Sequence, residues 1–394
     1  TMSGFTTTGS TIMLDIESWP RSLLFWRSMT QWLGGAGIIL VFITIFPMLG
    51  VASRSLARKE FAGMDVQHFT SRIQEESVKF HYIFIGLSVA QFLLLMLTGI
   101  GVYDSLTVMF STLSTGGFSP HTESIAYYGS LAVEWIVIVF MFLAGVNFYL
   151  HFQALRGRDP KAYWHNEEFR TYAIILFLAS LAGVFLLWGN PYTDAVEVVT
   201  DSTFHMISLM TSTGFATTDF ALWGGAVTFV LFLLIVIGGS SGSTAGGLKV
   251  VRSVLMKKFI STAISKTVHP RAMFSIKLDG RTLTESAVTS VMAVVLCYIA
   301  TTVVASALLI FMGIEPSQAM TAAISSVSNA GPALGELGPL GTYGGMPDLA
   351  KVILIFAMWA GRLEFLTVLA LLTPVFWREL LRYRPRDLRP LRQK

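Results

Sequence analysis

The stretch TTTGS at residues 6–10 recurs in altered form as STGGF at 114–118, TSTGF at 211–215 and SNAGP at 328–332. The aligned glycines of these four segments are 108, 97 and 117 residues apart. A short apolar helical pattern precedes each of the last three segments, and a long apolar run follows all four. The chain is therefore predicted to repeat, four times, a unit of span, short helix, Gly segment and span.

Composition makes the long apolar runs candidates for membrane spans. The 394 residues are 53% hydrophobic and 13% charged, whereas about 25% charged residues is usual in a soluble domain. About 20 apolar residues cross a bilayer as a helix, and lipid offers no partner to an open backbone. We therefore predict an all-α polytopic membrane protein. The seven predicted spans are 22–50, 80–102, 131–155, 171–189, 222–237, 287–313 and 349–377.

Three short helices are predicted just before the last three Gly segments. The first, at 103–115, has Asp104 as its expected N-cap, and the second covers 194–213. The third, at 315–329, has Pro316 in the first turn, where proline is favoured. Because the chain starts inside the first copy of the repeat, we expect it to lack the N-terminal portion of a longer protein. The predicted units are 1–55 (end of repeat 1, with its filter and second span), 78–157 (repeat 2), 168–262 (repeat 3), 280–380 (repeat 4) and 381–394 (basic tail).

The Gly segments are predicted to form the filter of one pore. Irregular backbone at membrane depth persists only where it is buried in protein or lines water. Four carbonyl-lined strands can replace the hydration shell of a monovalent cation, and the C-terminal ends of the short helices favour a cation there. Close helix packing by small residues would explain one such segment, but hardly four at matching positions. The predicted filter residues are Thr7, Thr8, Gly9, Thr115, Gly116, Gly117, Ser212, Thr213, Gly214, Asn329, Ala330 and Gly331.

Basic residues indicate the orientation. Of the 28 Lys and Arg, 23 lie in 51–79, 156–170, 252–281 and 378–394, so these segments are predicted to face the cytoplasm. The opposite loops are acidic and are either ordinary solvated loops or a mouth that concentrates cations; both interpretations remain open. The single Cys297 excludes a disulfide framework, a thiolate zinc site and a CxxC redox pair. Nothing resembles a nucleic-acid-binding tail, and no nucleic-acid partner is expected.

A second unusual stretch, GGSSGSTAGG at 238–247, interrupts the third inner span. Such a run is a poor helix interior. It is either a cytoplasmic turn after a short helix or an intramembrane loop that obstructs the pore beneath the filter. The candidate gate residues in it are Gly238, Gly239, Ser240, Ser241, Gly242, Ser243, Thr244, Ala245, Gly246 and Gly247.

Arg362 is the other candidate gate residue, because it lies inside the last predicted span, where an unpaired arginine is costly. Glu364 is two residues further on and does not share a helix face with it. Arg362 either snorkels to the membrane surface or faces the pore. In the second case its charge would impede cations while the gate is shut.

Together with QWLGGAGI (31–38) and GRLEFLT (361–367), these segments make the chain resemble the pore subunits, of TrkH or TrkG type, of bacterial Trk potassium uptake systems. KtrB subunits and plant HKT transporters are more distantly similar. The resemblance covers essentially all 394 residues. Gly116 before Gly117, and Pro332 after Gly331, both fit the TrkH branch.

The resemblance implies a homodimer in the bacterial inner membrane, with one pore per subunit and a cytosolic TrkA-type regulatory partner that binds nucleotides. It implies that the 238–247 loop is the gate and that Arg362 donates to its carbonyls. It also implies an additional N-terminal portion in family members. Potassium is the implied transported ion, and no cofactor is expected on this chain.

The predicted function is potassium uptake through a gated, channel-like pore. A symporter that couples potassium to H⁺, Na⁺ or Cl⁻ remains open, although no membrane-centre Asp or Glu marks a proton relay. Gly238–Gly242 also matches the GxSxG elbow of serine hydrolases, which leaves an intramembrane serine hydrolase as a remote alternative. That elbow requires a strand–turn–helix context, which a membrane bundle lacks. His205 is predicted to be a packing residue, and no enzyme activity is expected.

Overall fold

The computed structural model describes residues 1–37, 66–157, 160–189, 194–269, 275–374 and 376–378. Residues 38–50 of the first predicted span and the predicted tail at 381–394 lie outside the described residues. The helices are α1 (Met2–Phe5), α2 (21–37), α3 (Val66–Leu97), α4 (Val102–Leu113), α5 (Leu131–Ala144), α6 (Phe148–Gly157), α7 (Lys161–His165), α8 (Glu167–Leu187), α9 (Ala195–Met210), α10 (Gly225–Ile237), α11 (Val250–Val268), α12 (Glu285–Phe311), α13 (Pro316–Ser328), α14 (Asp348–Arg362) and α15 (Phe365–Leu372). Strands β1 (Lys277–Leu278) and β2 (Arg281–Thr282) form an antiparallel hairpin, in which Lys277 pairs with Thr282 and Leu278 with Arg281.

Helices α3, α8 and α12 are long and apolar enough to cross a membrane on their own. Each of them exposes large apolar side chains on its outer face, with Leu97 83%, Phe185 82% and Phe311 88% exposed. Faces of this kind suit contact with lipid rather than water. Regular secondary structure among the described residues is helical except for one two-stranded hairpin. The prediction of an all-α polytopic membrane protein is confirmed.

The short helices lie where the repeat predicts them, each packed between two spans of its own unit: α4 between α3 and α5, α9 between α8 and α10, and α13 between α12 and α14. Asp194 caps α9 by accepting from the Val196 amide, and Pro316 occupies the first turn of α13. The prediction that Asp104 caps α4 is wrong, because the helix begins at Val102 with Gly101 as its N-cap. Asp104 lies in the first turn instead.

The run at 131–155 is not one straight helix, contrary to the prediction, because α5 and α6 meet at an angle of 95°. The break falls at residues 145–147. Backbone groups freed by it bond to the 238–247 loop, since the Ser240 amide donates to the Gly145 carbonyl at 2.9 Å and the Phe148 amide donates to the Gly242 carbonyl at 3.1 Å. Partners from another repeat therefore replace the helical hydrogen bonds.

The last predicted span, 349–377, is also interrupted. Helix α14 ends at Arg362, and Glu364 has a φ of +61°, which an α-helix does not contain. The Glu364 carboxylate pairs with Arg252 of α11 at 2.7 Å. Arg362 is thus the last residue of a helix, with Glu364 turned away from it toward another element.

Candidate functional site

The filter segments, defined as residues 6–10, 114–118, 211–215 and 328–332, share one backbone conformation. Each has positive φ at its glycine and at the residue two positions before it. Non-glycine residues with positive φ are uncommon, so four at equivalent positions mark a repeated structure. The φ values are 52° and 87° for Thr7 and Gly9, 53° and 75° for Thr115 and Gly117, 57° and 80° for Ser212 and Gly214, and 55° and 94° for Asn329 and Gly331.

These segments close a ring, here called the filter ring, through backbone contacts. A Cβ atom built on each glycine would fall within 3.0 Å of the carbonyl oxygen of a residue in the next repeat, and that residue always directly precedes the neighbour's own glycine. Repeat 1 contacts repeat 2, repeat 2 contacts repeat 3, repeat 3 contacts repeat 4, and repeat 4 contacts repeat 1. The pairs, glycine first, are Gly9 with Gly116, Gly117 with Thr213, Gly214 with Ala330 and Gly331 with Thr8.

The segments are stabilised in two ways that alternate around the ring. In repeats 1 and 3 the threonine hydroxyls bond to each other within the segment, Thr6 to Thr8 at 2.8 Å and Thr211 to Thr213 at 2.8 Å. Repeats 2 and 4 have Gly116 and Ala330 in place of the second threonine. Side chains from outside these two segments supply hydrogen bonds there instead.

In repeat 4 the Tyr343 hydroxyl donates to the Gly331 carbonyl at 2.8 Å, and the Tyr298 hydroxyl lies 2.6 Å from the Ser328 hydroxyl. The Asn329 amide reaches across the ring to the Thr8 hydroxyl at 3.0 Å. In repeat 2 the buried Gln31 of α2 contacts the segment. Gln31 lies within the motif QWLGGAGI, but nothing in the sequence indicated its contact with the filter, and Tyr298 and Tyr343 lie in no recognisable motif.

The ends of the filter segments open into a cavity, here called the vestibule, lined by all four filter glycines and by loop residues at 10–16, 119–124 and 338–343. Arg27 of α2 also lines it. This arginine is fixed by the second segment, because its guanidinium lies 3.8 Å from the Phe118 ring centroid and donates to the Ser119 carbonyl at 3.1 Å. Arg27 was missed as a site residue because its partners follow Gly117 far along the chain.

Around the vestibule, His121 lies between two carboxylates. Its Nε2 is 3.2 Å from Asp104 Oδ1, and its Nδ1 is 3.8 Å from Glu17 Oε1. Partial burial raises the pKa of Glu17, but hydrogen bonds from the Thr122 hydroxyl and amide outweigh it, so that the net pKa is lowered. Glu17 is therefore held in its charged form at the outer side of the ring.

The 238–247 loop contacts the filter segments at their beginnings, whereas the vestibule is lined by their ends. The Gly246 amide donates to the Ser212 hydroxyl at 2.5 Å, and the Gly247 amide donates to the Ser328 carbonyl at 2.9 Å. The Thr244 hydroxyl donates to the Leu113 carbonyl at 2.9 Å. All loop residues are buried or half-buried except Ser241 and Gly242. The structure thus brings ten of the predicted gate residues together directly beneath the ring.

Arg362 joins the loop to two other repeats. Its side chain is buried, its Nη1 donates to the Thr244 carbonyl at 2.7 Å, and its Nη2 lies 3.5 Å from the Gly34 carbonyl of α2. One guanidinium therefore connects the loop of repeat 3 with helix α14 of repeat 4 and helix α2 of repeat 1. Lys249, just after the loop, has a φ of +75° and turns its ammonium back onto the Ala245 carbonyl.

A buried carboxylate holds the 238–247 loop at Ser241. Glu168 of α8 accepts from the Ser241 amide at 2.6 Å and from the Val251 amide at 3.2 Å. It thereby ties the loop to the start of α11. The adjacent Glu167 pairs with Lys258 of α11 at 2.6 Å. Glu168 was not predicted as a site residue, because an acidic residue at a helix start is most simply explained by its interaction with the helix dipole.

The GxSxG match at Gly238–Gly242 lies on a loop that joins two helices. The Ser240 hydroxyl is buried and has no hydrogen-bond partner among the described residues. His205 is fully buried elsewhere, where its ring contacts the Asp201 and Thr218 carbonyls. It packs beside Trp223. The histidine is thus a packing residue within its own repeat.

Comparisons with known proteins agree with this arrangement. The family model "TrkH: Cation transport protein" matches residues 1–376. The chain is similar to the Trk system potassium uptake protein TrkH of Escherichia coli (strain K12), with 36% identity over 379 residues, which are 96% of this chain and 78% of that protein. It is 30% identical to the Trk system potassium uptake protein TrkG of the same strain, over 96% of this chain and 78% of TrkG. The crystal structure of the potassium transporter TrkH from Vibrio parahaemolyticus superposes with a TM-score of 0.85 at 36% identity, covering 95% of this chain and 77% of that chain.

Proposed function

We propose that this chain, which belongs to the TrkH family of cation transport proteins, takes up potassium through a gated, channel-like pore. The observation that carries the proposal is the filter ring, in which each glycine packs against a carbonyl of the next repeat. Four equivalent backbone segments in one ring offer carbonyl oxygens that can replace the hydration shell of a monovalent cation. The named relatives are potassium uptake proteins, which supports potassium as the ion.

Cations would approach from the vestibule. His121 lines the vestibule, and the carboxylates of Glu17 and Asp104 lie beside His121. Carboxylates near a pore mouth raise the local cation concentration. The short helices α4, α9 and α13 end at the ring, so their partial negative charge favours a cation there. The twelve predicted filter residues are proposed to line this site, within the four units predicted from the repeat.

Selectivity is proposed to be moderate. Each repeat contributes one glycine at positive φ after one other such residue, so few sites are stacked along the axis. Fewer stacked sites discriminate less between ions. We expect potassium and rubidium to be preferred over sodium and lithium, less strongly than in a tetrameric potassium channel.

The 238–247 loop is proposed to be the gate, and Arg362 its anchor. The support is that the loop abuts the beginnings of the third and fourth filter segments, while Arg362 donates to the Thr244 carbonyl. A buried cation beneath a cation filter also opposes conduction electrostatically. Opening would require something that binds the released loop better than the closed one.

We further propose a homodimer in the bacterial inner membrane, with the basic loops and the C-terminus in the cytoplasm and with a cytosolic TrkA-type regulator that binds nucleotides. The basic bias of alternate loops supports the orientation. The name "Trk system" of the relatives supports a multi-component assembly. No cofactor and no enzymatic activity are proposed, since the GxSxG match lies between two helices and not on a strand–turn–helix elbow.

The test is ion flux in proteoliposomes that contain the purified chain. A channel-like pore predicts potassium flux that follows its own gradient without an added co-ion. If potassium flux depended strictly on H⁺, Na⁺ or Cl⁻, the protein would be a symporter and not a channel. Absence of potassium flux in correctly inserted protein would overturn the proposal altogether, and labelling by an active-site serine probe would revive the hydrolase.

A further inference from the structure

Gln31 contacts the second filter segment with both ends of its carboxamide. Its Nε2 donates to the Gly116 carbonyl oxygen at 2.6 Å, and its Oε1 accepts from the Phe118 amide at 3.0 Å. The side chain is fully buried in α2. The Gly116 oxygen is one of the four that pack against a filter glycine, here Gly9. Of the four carbonyl oxygens that pack against filter glycines, the Gly116 oxygen therefore accepts a side-chain hydrogen bond.

The same carboxamide accounts for the glycine at position 116. A Cβ atom there would lie within 3.0 Å of three atoms of Gln31. Gly116 is absent from the positive-φ residues of the described chain, so its backbone does not require glycine. Space is the reason: the amide of Gln31 occupies the volume that a side chain fills at the equivalent positions in the other repeats. Those positions are Thr8, Thr213 and Ala330.

The corresponding turn of the other inner helices, which are α5, α10 and α14, is apolar. Gln31 lies three residues before the small residue Gly34 of its helix. Counting back three residues from Ala144 in α5, from Gly238 at the C-cap of α10 and from Gly361 in α14 reaches a buried apolar side chain in each case. These residues are Met141, Ile235 and Met358. The carboxamide is thus a feature of one repeat, and it contacts the only one of the four positions directly before a filter glycine that lacks a side chain.

We propose that Gln31 is a positioning residue that sets the ion specificity of the filter, an inference that rests on the proposed function. It fixes the Gly116 carbonyl in place. Because a carbonyl oxygen has two lone pairs, this oxygen can accept from Gln31 and still face a cation. Its charge is shared with the donor, which makes it a weaker cation ligand than its three counterparts. Without Gln31 the oxygen would be free to follow a smaller ion.

The first test is Gln31→Leu, which keeps approximate size and removes both hydrogen bonds. We expect the sodium-to-potassium permeability ratio in proteoliposomes to rise about fivefold, the factor that one neutral hydrogen bond commonly contributes. Met141→Leu is the matched control, because it changes a buried residue in the corresponding turn of α5, and it should leave the ratio unaltered. An unchanged ratio in Gln31→Leu protein that inserts normally would overturn the inference.

The second test uses Gly116→Ala, alone and combined with Gln31→Ala. Gly116→Ala alone should reduce potassium flux per inserted molecule, because its methyl group meets the Gln31 amide. Gln31→Ala should relieve this defect and leave the permeability ratio raised. If Gln31→Leu does not insert, the comparison of Gly116→Ala with the double variant decides. The inference is refuted if Gln31→Ala does not restore the potassium flux of Gly116→Ala, or if the double variant has the wild-type sodium-to-potassium permeability ratio. Wild-type protein without potassium flux in the same vesicles would instead refute the proposed function.

Discussion

The filter ring and the 238–247 loop lie against each other but are built in opposite ways. The ring uses one rule four times, a glycine at positive φ packed on a neighbouring carbonyl. The loop occurs once, and different groups hold it: the Arg362 guanidinium, the Ser212 hydroxyl and the Glu168 carboxylate. Close backbone packing at four equivalent positions opposes displacement of the ring, whereas the loop is held by single hydrogen bonds, each to a different partner. In the proposed function, a selective element that resists movement thus lies next to one that can be released.

The largest effect should come from removing the loop. Deleting Ser240–Thr244 takes away the proposed obstruction, and the ends can be joined because a Cβ atom built on Gly239 would lie 2.5 Å from the Ala245 Cβ atom. A rarely open state is populated at about 0.1–10%, so basal potassium flux should rise about tenfold or more. Uptake per inserted molecule, measured in cells without their own potassium uptake systems, checks this. Unaltered flux in protein that still inserts would make the loop a structural turn.

Arg362→Ala should have the next largest effect, because it removes a charged donor to the Thr244 carbonyl and the cation beneath the ring. Hydrogen bonds to charged groups contribute about 1.5–3 kcal/mol, so flux should rise about tenfold to a hundredfold without a change in selectivity. Lys351→Ala in the same helix is the control, since Lys351 pairs only with the exposed Asp348 at 3.2 Å. Lower flux in Arg362→Ala would contradict a closing role.

Gly214→Ser should break the ring rather than the gate. At φ +80° its Cβ would fall within 3.0 Å of the Ala330 carbonyl and of Pro332. Strain of about 1–3 kcal/mol should displace these carbonyls and lower the potassium-to-sodium permeability ratio about tenfold. Gly224→Ser is the matched control, because nothing lies within 4 Å of a Cβ there and Gly224 is an N-cap, where serine is favoured. Identical relative permeabilities in Gly214→Ser would remove this residue from the filter.

The smallest effect is expected from Glu168→Gln. The amide can still accept from the Ser241 and Val251 backbone but loses the charge that strengthens those bonds. Basal flux should rise about fivefold or less, again with unchanged selectivity. Glu285→Gln, an exposed first-turn carboxylate of α12, should change nothing. A selectivity change in Glu168→Gln would show that the loop and the ring are not separable.

The filter ring was predictable from the sequence because its repeated contact requires a particular residue type, glycine. Positive φ and close backbone approach restrict a position to glycine, and four glycines at similar intervals expose that restriction. The broken span at 131–155 was not predicted: Gly145 and Asn147 interrupt its apolar run, but they do not by themselves end a helix, and the break depends on hydrogen bonds to Ser240 and Gly242. Local pattern favoured a straight helix, and a tertiary contact overrode it.

The side chains that hold the site show the same limit. Gln31 and Glu168 bond to backbone groups 85 and 73 residues away. Every residue except proline has both a backbone N–H and a backbone carbonyl, so no residue type at position 116 or 241 identifies such a partner in advance. Arg362 was found because an arginine in an apolar run is costly and demands a partner. A glutamine, or a glutamate at a helix start, is less costly without a partner, so its residue type does not point to a contact.

The contact between Thr8 and Gly331 has a consequence for biogenesis. The Thr8 hydroxyl and the Asn329 amide that meet across it are separated by 321 residues. At a synthesis rate of about 5–20 residues per second, the fourth filter segment is synthesised roughly 15–65 seconds after the first. Until then the buried hydroxyls and carbonyls of the first segment need water, a chaperone or another chain as a temporary partner. Assembly of the permeation path is therefore a late step, completed only after the last repeat has entered the membrane.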